Sequence, residues 1–192
     1  MVDQMQPEVM QVIFRLMLKA MSYPGRCYSV TQDAPEALGL LAADCLIDHE
    51  ATFAVIGFEP SDQAEGIQRR TGSVCVEADQ ADFVFINGNS SQGRIESVKR
   101  GTAAYPDEGA TVVYQLPCAQ LDELEVNRLG AVRMTGPGIK EMISPPVASL
   151  DQAEYALLRD VNAGYPLGVD TFIMWGASHV MAIPRSTRIY VS

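Results

Sequence analysis

Lysine and histidine are scarce in this chain of 192 residues. It has three lysines, Lys19, Lys99 and Lys140, and two histidines, His49 and His179. A pyridoxal-phosphate enzyme needs a lysine for its Schiff base, but Lys19 lies in a predicted helix and Lys99 at the end of another. Only Lys140, which follows a glycine-containing turn, is a faint candidate. The scarcity argues against pyridoxal chemistry, and we expect no cofactor.

Paired cysteines and nucleophile motifs are also missing. None of the four cysteines forms a C-x-x-C pair, and there is no G-x-S-x-G elbow for a catalytic serine. Cys45 and His49 are four residues apart and could share one helix face, but two ligands are too few for a structural metal site. A serine triad would have to use His49 or His179, and spacing gives a cysteine–histidine dyad no support. We therefore expect no metal and no catalytic residue in this chain.

Long apolar runs and excess positive charge are lacking as well. No apolar stretch approaches 18 residues, and the N-terminus has no basic region, so we expect a cytoplasmic protein without a membrane segment. The formal net charge is −10, from 24 acidic and 14 basic residues. Such a chain repels phosphate backbones on average. The basic runs 69–70 and 94–100 have acidic neighbours and no interleaved aromatics, which argues against nucleic acid.

What is present predicts one α/β domain over residues 1–192. The length suits one large domain, and predicted strands alternate with helices before a C-terminal hairpin. That order favours a layered α/β fold with a mixed sheet. The predicted helices are Pro7–Ser22, one from near Pro35 to Leu46, one from residue 61 or 62 to 70, 89–98 and 150–161. The predicted strands are 52–58, 74–76, 82–86, 111–116, 129–135 and the hairpin, 171–175 with 180–184.

The first predicted helix is apolar around most of its circumference. Its polar residues fall within an arc of about 80° when residues are placed 100° apart. A helix that packs on one sheet face needs only an apolar stripe. Either another layer of the same chain or a partner subunit must cover the second side, and we favour a partner.

Two local features could bind an anion. Arg185 follows Pro184 at a predicted strand end, and a rigid strand end can present an arginine to an anion or a partner. The alternative, which we favour from the residues alone, is an ordinary surface ion pair. The turn Thr135-Gly136-Pro137-Gly138 could offer backbone N–H groups to a phosphate. It lacks the lysine of a P-loop, and a strand-ending turn is the simpler interpretation.

Four ordered segments carry a family resemblance that covers nearly the whole chain. They are Phe14-Arg15 with LKAMS-x-PG (18–25), GTA…P…GAT (101–111), R-x-TGxGIxE (133–141), and PLGVD (166–170) with AIPRST (182–187). Together they resemble the H subunit (PhnH) of the bacterial carbon–phosphorus lyase core complex. Tyr23 and Tyr105 depart from the pattern within matching segments, which leaves the strength of partner contacts open.

The resemblance implies a three-layer α/β/α fold like the large domain of pyridoxal-phosphate-dependent transferases, without the cofactor. It implies an accessory, non-catalytic subunit that works in phosphonate catabolism with the G, I and J subunits and forms a homodimer when alone. The complex would displace adenine from ATP with an alkylphosphonate. Within the matching segments, Arg15, Thr102, Arg133 and Arg185 are candidates for a shared pocket or subunit contact. The alternative is a free-standing small-molecule enzyme or anion-binding protein that uses Arg185 and the 135–138 turn.

Overall fold

The computed structural model describes most of the chain, in six ranges: 7–29, 38–57, 60–116, 132–145, 150–175 and 179–192. These ranges hold four α-helices, which are α1 Pro7–Ser22, α2 Leu38–Leu46, α3 Pro60–Thr71 and α4 Gln152–Val161. They also hold nine strands: β1 Tyr28–Ser29, β2 Thr52–Gly57, β3 Val74–Cys75, β4 Phe83–Asn87, β5 Thr111–Leu116, β6 Val132–Thr135, β7 Asp170–Trp175, β8 His179–Ile183 and β9 Arg188–Val191. No described helix is both long and apolar enough to cross a bilayer.

Seven strands form one mixed sheet in the order β1-β8-β7-β5-β4-β2-β3. The pairs from β3 to β7 are parallel, whereas β8 runs antiparallel to both β7 and β1. Parallel strands need crossover connections; α3 lies between β2 and β4, two 3₁₀ turns lie between β4 and β5, and α4 lies between β5 and β7. The predicted α/β fold with a mixed sheet is confirmed, and β5 is its central strand.

Each face of the sheet is covered by a separate apolar core. On one face, α1, α2 and α3 pack against Phe53, Phe85, Val113 and Phe172. On the other face lie α4, a 3₁₀ turn at Arg94–Ser97 and a two-stranded ribbon formed by β6 and β9. The β6–β9 ribbon was not expected, because β9 pairs with a strand more than 50 residues earlier in the sequence.

The first helix has the predicted bounds, Pro7–Ser22. Ile13, Met17 and Ala20 are buried against the sheet and α2. Phe14 and Leu18 are 43% and 53% exposed. The apolar excess of this helix therefore remains at the surface of the chain, as expected for a helix whose second side another molecule covers.

The predicted helix over 89–98 is wrong. Only a short 3₁₀ turn forms, at Arg94–Ser97. The cause is local: Gln92 has a φ of 54° and Gly93 a φ of 84°, and two successive left-handed residues cannot belong to a right-handed helix.

Two further helix ends bear on the predictions. Helix α2 ends at Leu46, so His49 lies outside it and does not share a helix face with Cys45. Helix α4 is preceded by Asp151 as its N-cap residue, whereas Ser149, the predicted cap, lies outside the described residues. Parts of other predicted elements also lie outside them: residues 35–37, Phe58 and residues 129–131.

Candidate functional site

Arg185 is held inside the protein by the segments that match the family. Its backbone N–H donates to Oδ1 of Asp170 over 2.9 Å, and its Nε and Nη2 donate to Oδ2 over 3.0 and 2.7 Å. Nη1 donates to the carbonyl of Pro106, and Nη2 lies 3.4 Å from the carbonyl of Gly109. The arginine thus joins the end of β8 to the start of β7 and to the loop before β5. Its first role is structural.

Glycines bring the remaining matching segments together. A Cβ atom at Gly138 would lie 2.3 Å from the carbonyl oxygen of Ser22 and 2.8 Å from Cδ of Pro24, so only glycine lets the 135–138 turn rest on the end of α1. A Cβ at Gly136 would lie 3.1 Å from the carbonyl oxygen of Ser186. All four matching segments therefore meet around the amino-terminal ends of β5 and β7.

The four candidate side chains do not converge. Arg15 is exposed on α1, on the helical face of the sheet, whereas Arg133 is exposed on the ribbon that covers the opposite face. Thr102 is exposed and shapes a turn, in which its Oγ1 accepts the backbone N–H of Tyr105 over 3.0 Å. Only Arg185 and the loop that contains Thr102 lie side by side. The four side chains therefore share no pocket within the chain, and the hypothesis that some of them meet at a subunit contact stays a prediction.

A cavity nevertheless joins Arg185 to the 135–138 turn. It measures about 790 Å³ and opens between the end of α4, the turn after β8 and the ribbon. Three arginines line it: Arg159, Arg185 and Arg188. The other lining residues are Thr135, Gly136, Pro137, Asn162, Ala163, Tyr165, Ser186, Thr187, Ile189 and Tyr190. None of these residues is acidic. We call this space the arginine cavity.

The arginines of this cavity are not equally free. Arg185 is neutralised by Asp170, and Arg159 pairs with Asp160 on the surface of α4 over 2.8 Å. Arg188 makes no ion pair or side-chain hydrogen bond with any described residue, and it is exposed on the outer face of β9. In the ribbon it stands opposite Thr135, while Tyr190 stands opposite Arg133. The cavity therefore has one uncompensated positive charge in its wall.

A second polar cluster lies near the carboxyl ends of β4 and β5. The carboxyl group of Glu154, which is 1% exposed, accepts the hydroxyl of Tyr114 over 2.5 Å and that of Ser90 over 3.2 Å. Burial and the neighbouring Glu154 raise the pKa of Tyr114 well above its usual value. The cluster anchors the start of α4 to the sheet. Because Glu154 and Tyr114 are shielded from solvent, we assign the cluster a structural role.

The described cysteines and acids show no metal-binding arrangement. In the described ranges, no three His, Cys, Asp or Glu side chains come together as possible ligands. Cys45 is half-buried against Met10, and burial, with a smaller effect of Asp44, raises its pKa to about 11. A thiol with a raised pKa is a poor nucleophile at neutral pH. Cys118 lies outside the described residues.

Comparisons with known proteins support the family resemblance. The family model described as "Bacterial phosphonate metabolism protein (PhnH)" matches residues 3–190. The chain belongs to the PhnH family. A relative from Stutzerimonas stutzeri, "Putative C-P lyase subunit protein HtxG", is 33% identical over 93% of this chain and 85% of its own length. A PhnH relative from Rhizobium meliloti (strain 1021), "Alpha-D-ribose 1-methylphosphonate 5-triphosphate synthase subunit PhnH", is 25% identical over 93% of this chain and 89% of its own.

Sequence reasoning missed most of the wall of the arginine cavity. Arg188 lies three residues after Arg185, but the pairing of β9 with β6 that sets it beside the 135–138 turn is a long-range contact. Arg159 belongs to none of the segments that the sequence analysis singled out for function. Asp170 stands in the PLGVD segment, and its place as the acid that pairs with Arg185 could have been suggested by the hairpin alone, since Thr171 and Ile183 are partners in it.

Proposed function

We propose that this chain is an accessory subunit of a carbon–phosphorus lyase assembly and acts in the catabolism of organic phosphonates. The observation that carries the proposal is the family match, which runs through 3–190. Both relatives reported above are described as subunits, one of a C-P lyase and one of a ribose 1-methylphosphonate 5-triphosphate synthase. By this proposal the assembly displaces adenine from ATP with a phosphonate, and the chain works there as one cytoplasmic domain.

The proposed contact with another subunit is the outer face of α1. Val12, Phe14 and Leu18 expose 42%, 43% and 53% of their surfaces there, and Tyr23 beyond the helix exposes 45%. Interface cores are enriched in aromatic and large apolar side chains. The partners that the family resemblance suggests are the G, I and J subunits. The same resemblance supports a homodimer for the isolated chain and a fold related to the large domain of pyridoxal-phosphate-dependent transferases.

Co-expression tests the subunit role. We expect the tagged chain to co-purify with the G, I and J subunits and to lose them when Phe14→Ser and Leu18→Ser are combined. Both side chains are about half exposed, so the double variant should keep its thermal stability. Val74→Ser is the matched control, because Val74 is 54% exposed on β3, at the opposite edge of the sheet from α1.

Two results would contradict the proposal. Absence of the other subunits from the wild-type preparation would argue against the assembly. Equal retention in the Phe14/Leu18 and Val74 variants would move the contact away from α1. Light scattering on the isolated chain tests the homodimer, since a dimer has about twice the 20.9 kDa of one chain.

A further inference from the structure

We infer that the arginine cavity binds a small anion that carries a phosphate or phosphonate group. Binding in this cavity would add a ligand site to the proposed subunit role. The cavity is close to the upper end of the usual size of small-molecule sites, which is about 300–1,000 Å³.

The charge of the cavity wall is opposite to that of the protein. The chain carries a formal net charge of −10, yet the residues that line the cavity include three arginines and no carboxylate. A wall of one sign around a concave space focuses the electrostatic potential and raises the local concentration of a ligand of opposite charge. Because Asp170 and Asp160 offset Arg185 and Arg159, the charge that attracts an anion here is mainly that of Arg188.

Arg188 and Arg159 are the arginines that can reach a ligand. Arg188 has no protein partner among the described residues, so all five of its N–H donors are available. Arg159 is bound only to Asp160, its neighbour in sequence, and that exposed pair has little strength. Arg185 is already bound to Asp170 and to two carbonyls; it contributes rigidity to the wall.

The presence of two guanidinium groups in one cavity wall favours a phosphorus oxyanion over a carboxylate. Arg159 extends from α4 and Arg188 from β9, so two guanidinium forks come from different elements. A planar carboxylate with one charge is satisfied by one fork, whereas a phosphoryl dianion offers three oxygens to several donors. Tyr165 and Tyr190 line the same space and are 65% and 48% exposed, so they give an attached organic body a surface to lie on.

Binding is tested on the isolated, full-length chain. Titration calorimetry and ¹H–¹⁵N NMR spectra would be recorded with inorganic phosphate, methylphosphonate and ribose 5-phosphate, at low ionic strength because salt screens such contacts. We expect saturable binding of at least one probe, with shifts of the backbone amides of 135–136 and 186–190. Phosphate and methylphosphonate in separate titrations distinguish the two sources of the shared chemistry.

Three variants locate the site. Arg188→Gln should weaken binding at least tenfold, and Arg159→Gln with Arg188→Gln should abolish it. Stability should change little, since Arg188 has no partner among the described residues and the Arg159–Asp160 pair is exposed. Arg69→Gln is the matched control: Arg69 is exposed on α3, on the other face of the sheet. Arg185 is not used, because its replacement would disturb the fold.

The affinities of the wild type and the variants for these probes support or overturn the proposed anion site. Saturable binding that the Arg188 change weakens and the Arg69 change spares supports it. No saturable binding of any probe overturns it, and so does binding that Arg69→Gln weakens as much as Arg188→Gln. Succinate, a dicarboxylate, is titrated in parallel to test the ligand class. An affinity for succinate equal to that for phosphate or methylphosphonate overturns the assignment to phosphorus oxyanions. Because the assay contains no other subunit, its failure leaves the co-purification result untouched, and the reverse also holds.

Discussion

Arg185 and Asp170 form an ion pair that connects the end of β8 to the start of β7. The arginine reaches the carboxylate with its backbone N–H, its Nε and its Nη2, and it reaches the loop before β5 with the rest of its guanidinium. The side chains are only 14% and 29% exposed. Arg185, which the sequence motif suggests as a ligand contact, instead joins three segments of the same chain.

Replacing Arg185 by Gln should lower the free energy of unfolding by about 2–4 kcal/mol. The change removes the guanidinium donors to Oδ2 of Asp170 and to two carbonyls, while the backbone N–H of residue 185 still donates to Oδ1. Breaking a partly buried pair from one side is costly. Urea unfolding measures the effect from the midpoint at constant slope. Arg159→Gln is the control: its pair with Asp160 is exposed, so the unfolding midpoint should change little. Equal losses in the two variants would mean that the Arg185 contacts have no special strength.

Gly138→Ala should destabilise the fold by more than the backbone strain of an alanine at positive φ. A Cβ at Gly138, which has a φ of 80°, would lie 2.3 Å from the Ser22 carbonyl oxygen. Gly93 has nearly the same φ, 84°, but open space around the added Cβ. Gly93→Ala should therefore cost only the backbone strain, about 1–2 kcal/mol, and Gly138→Ala should cost at least about 2 kcal/mol more because backbone atoms must shift. Thermal unfolding of both variants measures the difference, and equal midpoints would contradict the close approach.

The sequence predicted the elements that local signals control. Helix α1 has Pro7 at its first position and Pro24-Gly25 after its end, which are the signals that fix helix ends. The helix predicted over 89–98 was wrong because Gln92 adopts a left-handed conformation, which its residue type does not predict. The ribbon of β6 and β9, and with it the position of Arg188, depends on pairing across more than 50 residues. Local patterns contain no information on such pairing.

The candidate site was predictable in parts and not in its assembly. Arg185 and the 135–138 turn were both named as possible anion contacts, and they do line one cavity. The residues with free positive charge were missed, because a charged residue on a helix or an outer strand face looks like ordinary surface. The hairpin could have suggested that Asp170 neutralises Arg185, but nothing local in the sequence shows that Arg188 has no partner among the described residues.

Asp82 should make stability fall at acid pH. Burial opposes ionisation of this carboxyl, but hydrogen bonds from Lys99 and Thr52 outweigh it, so the pKa of Asp82 is lowered from its usual 3.8. Below that pH the unfolded chain takes up a proton that the folded chain resists, and stability decreases as pH falls. Asp82→Asn should flatten the acid side of a stability profile below about pH 4. Asn in place of the exposed Asp79 is the control, and an unchanged profile in Asp82→Asn would contradict the assignment.

Tyr114 should make stability fall at alkaline pH. Burial and the nearby Glu154 raise its pKa well above the usual 10.0. Near pH 10 the unfolded chain releases the phenol proton while the folded chain keeps it, so stability is fully present below that pH and decreases as pH rises beyond it. Tyr114→Phe should lower stability at neutral pH by about 1–3 kcal/mol, because the buried Glu154 carboxyl loses a donor. The same variant should show a shallower alkaline decline. Tyr190→Phe, at a 48% exposed position, should change neither quantity; parallel alkaline slopes in wild type and Tyr114→Phe would show that this phenol does not control the decline.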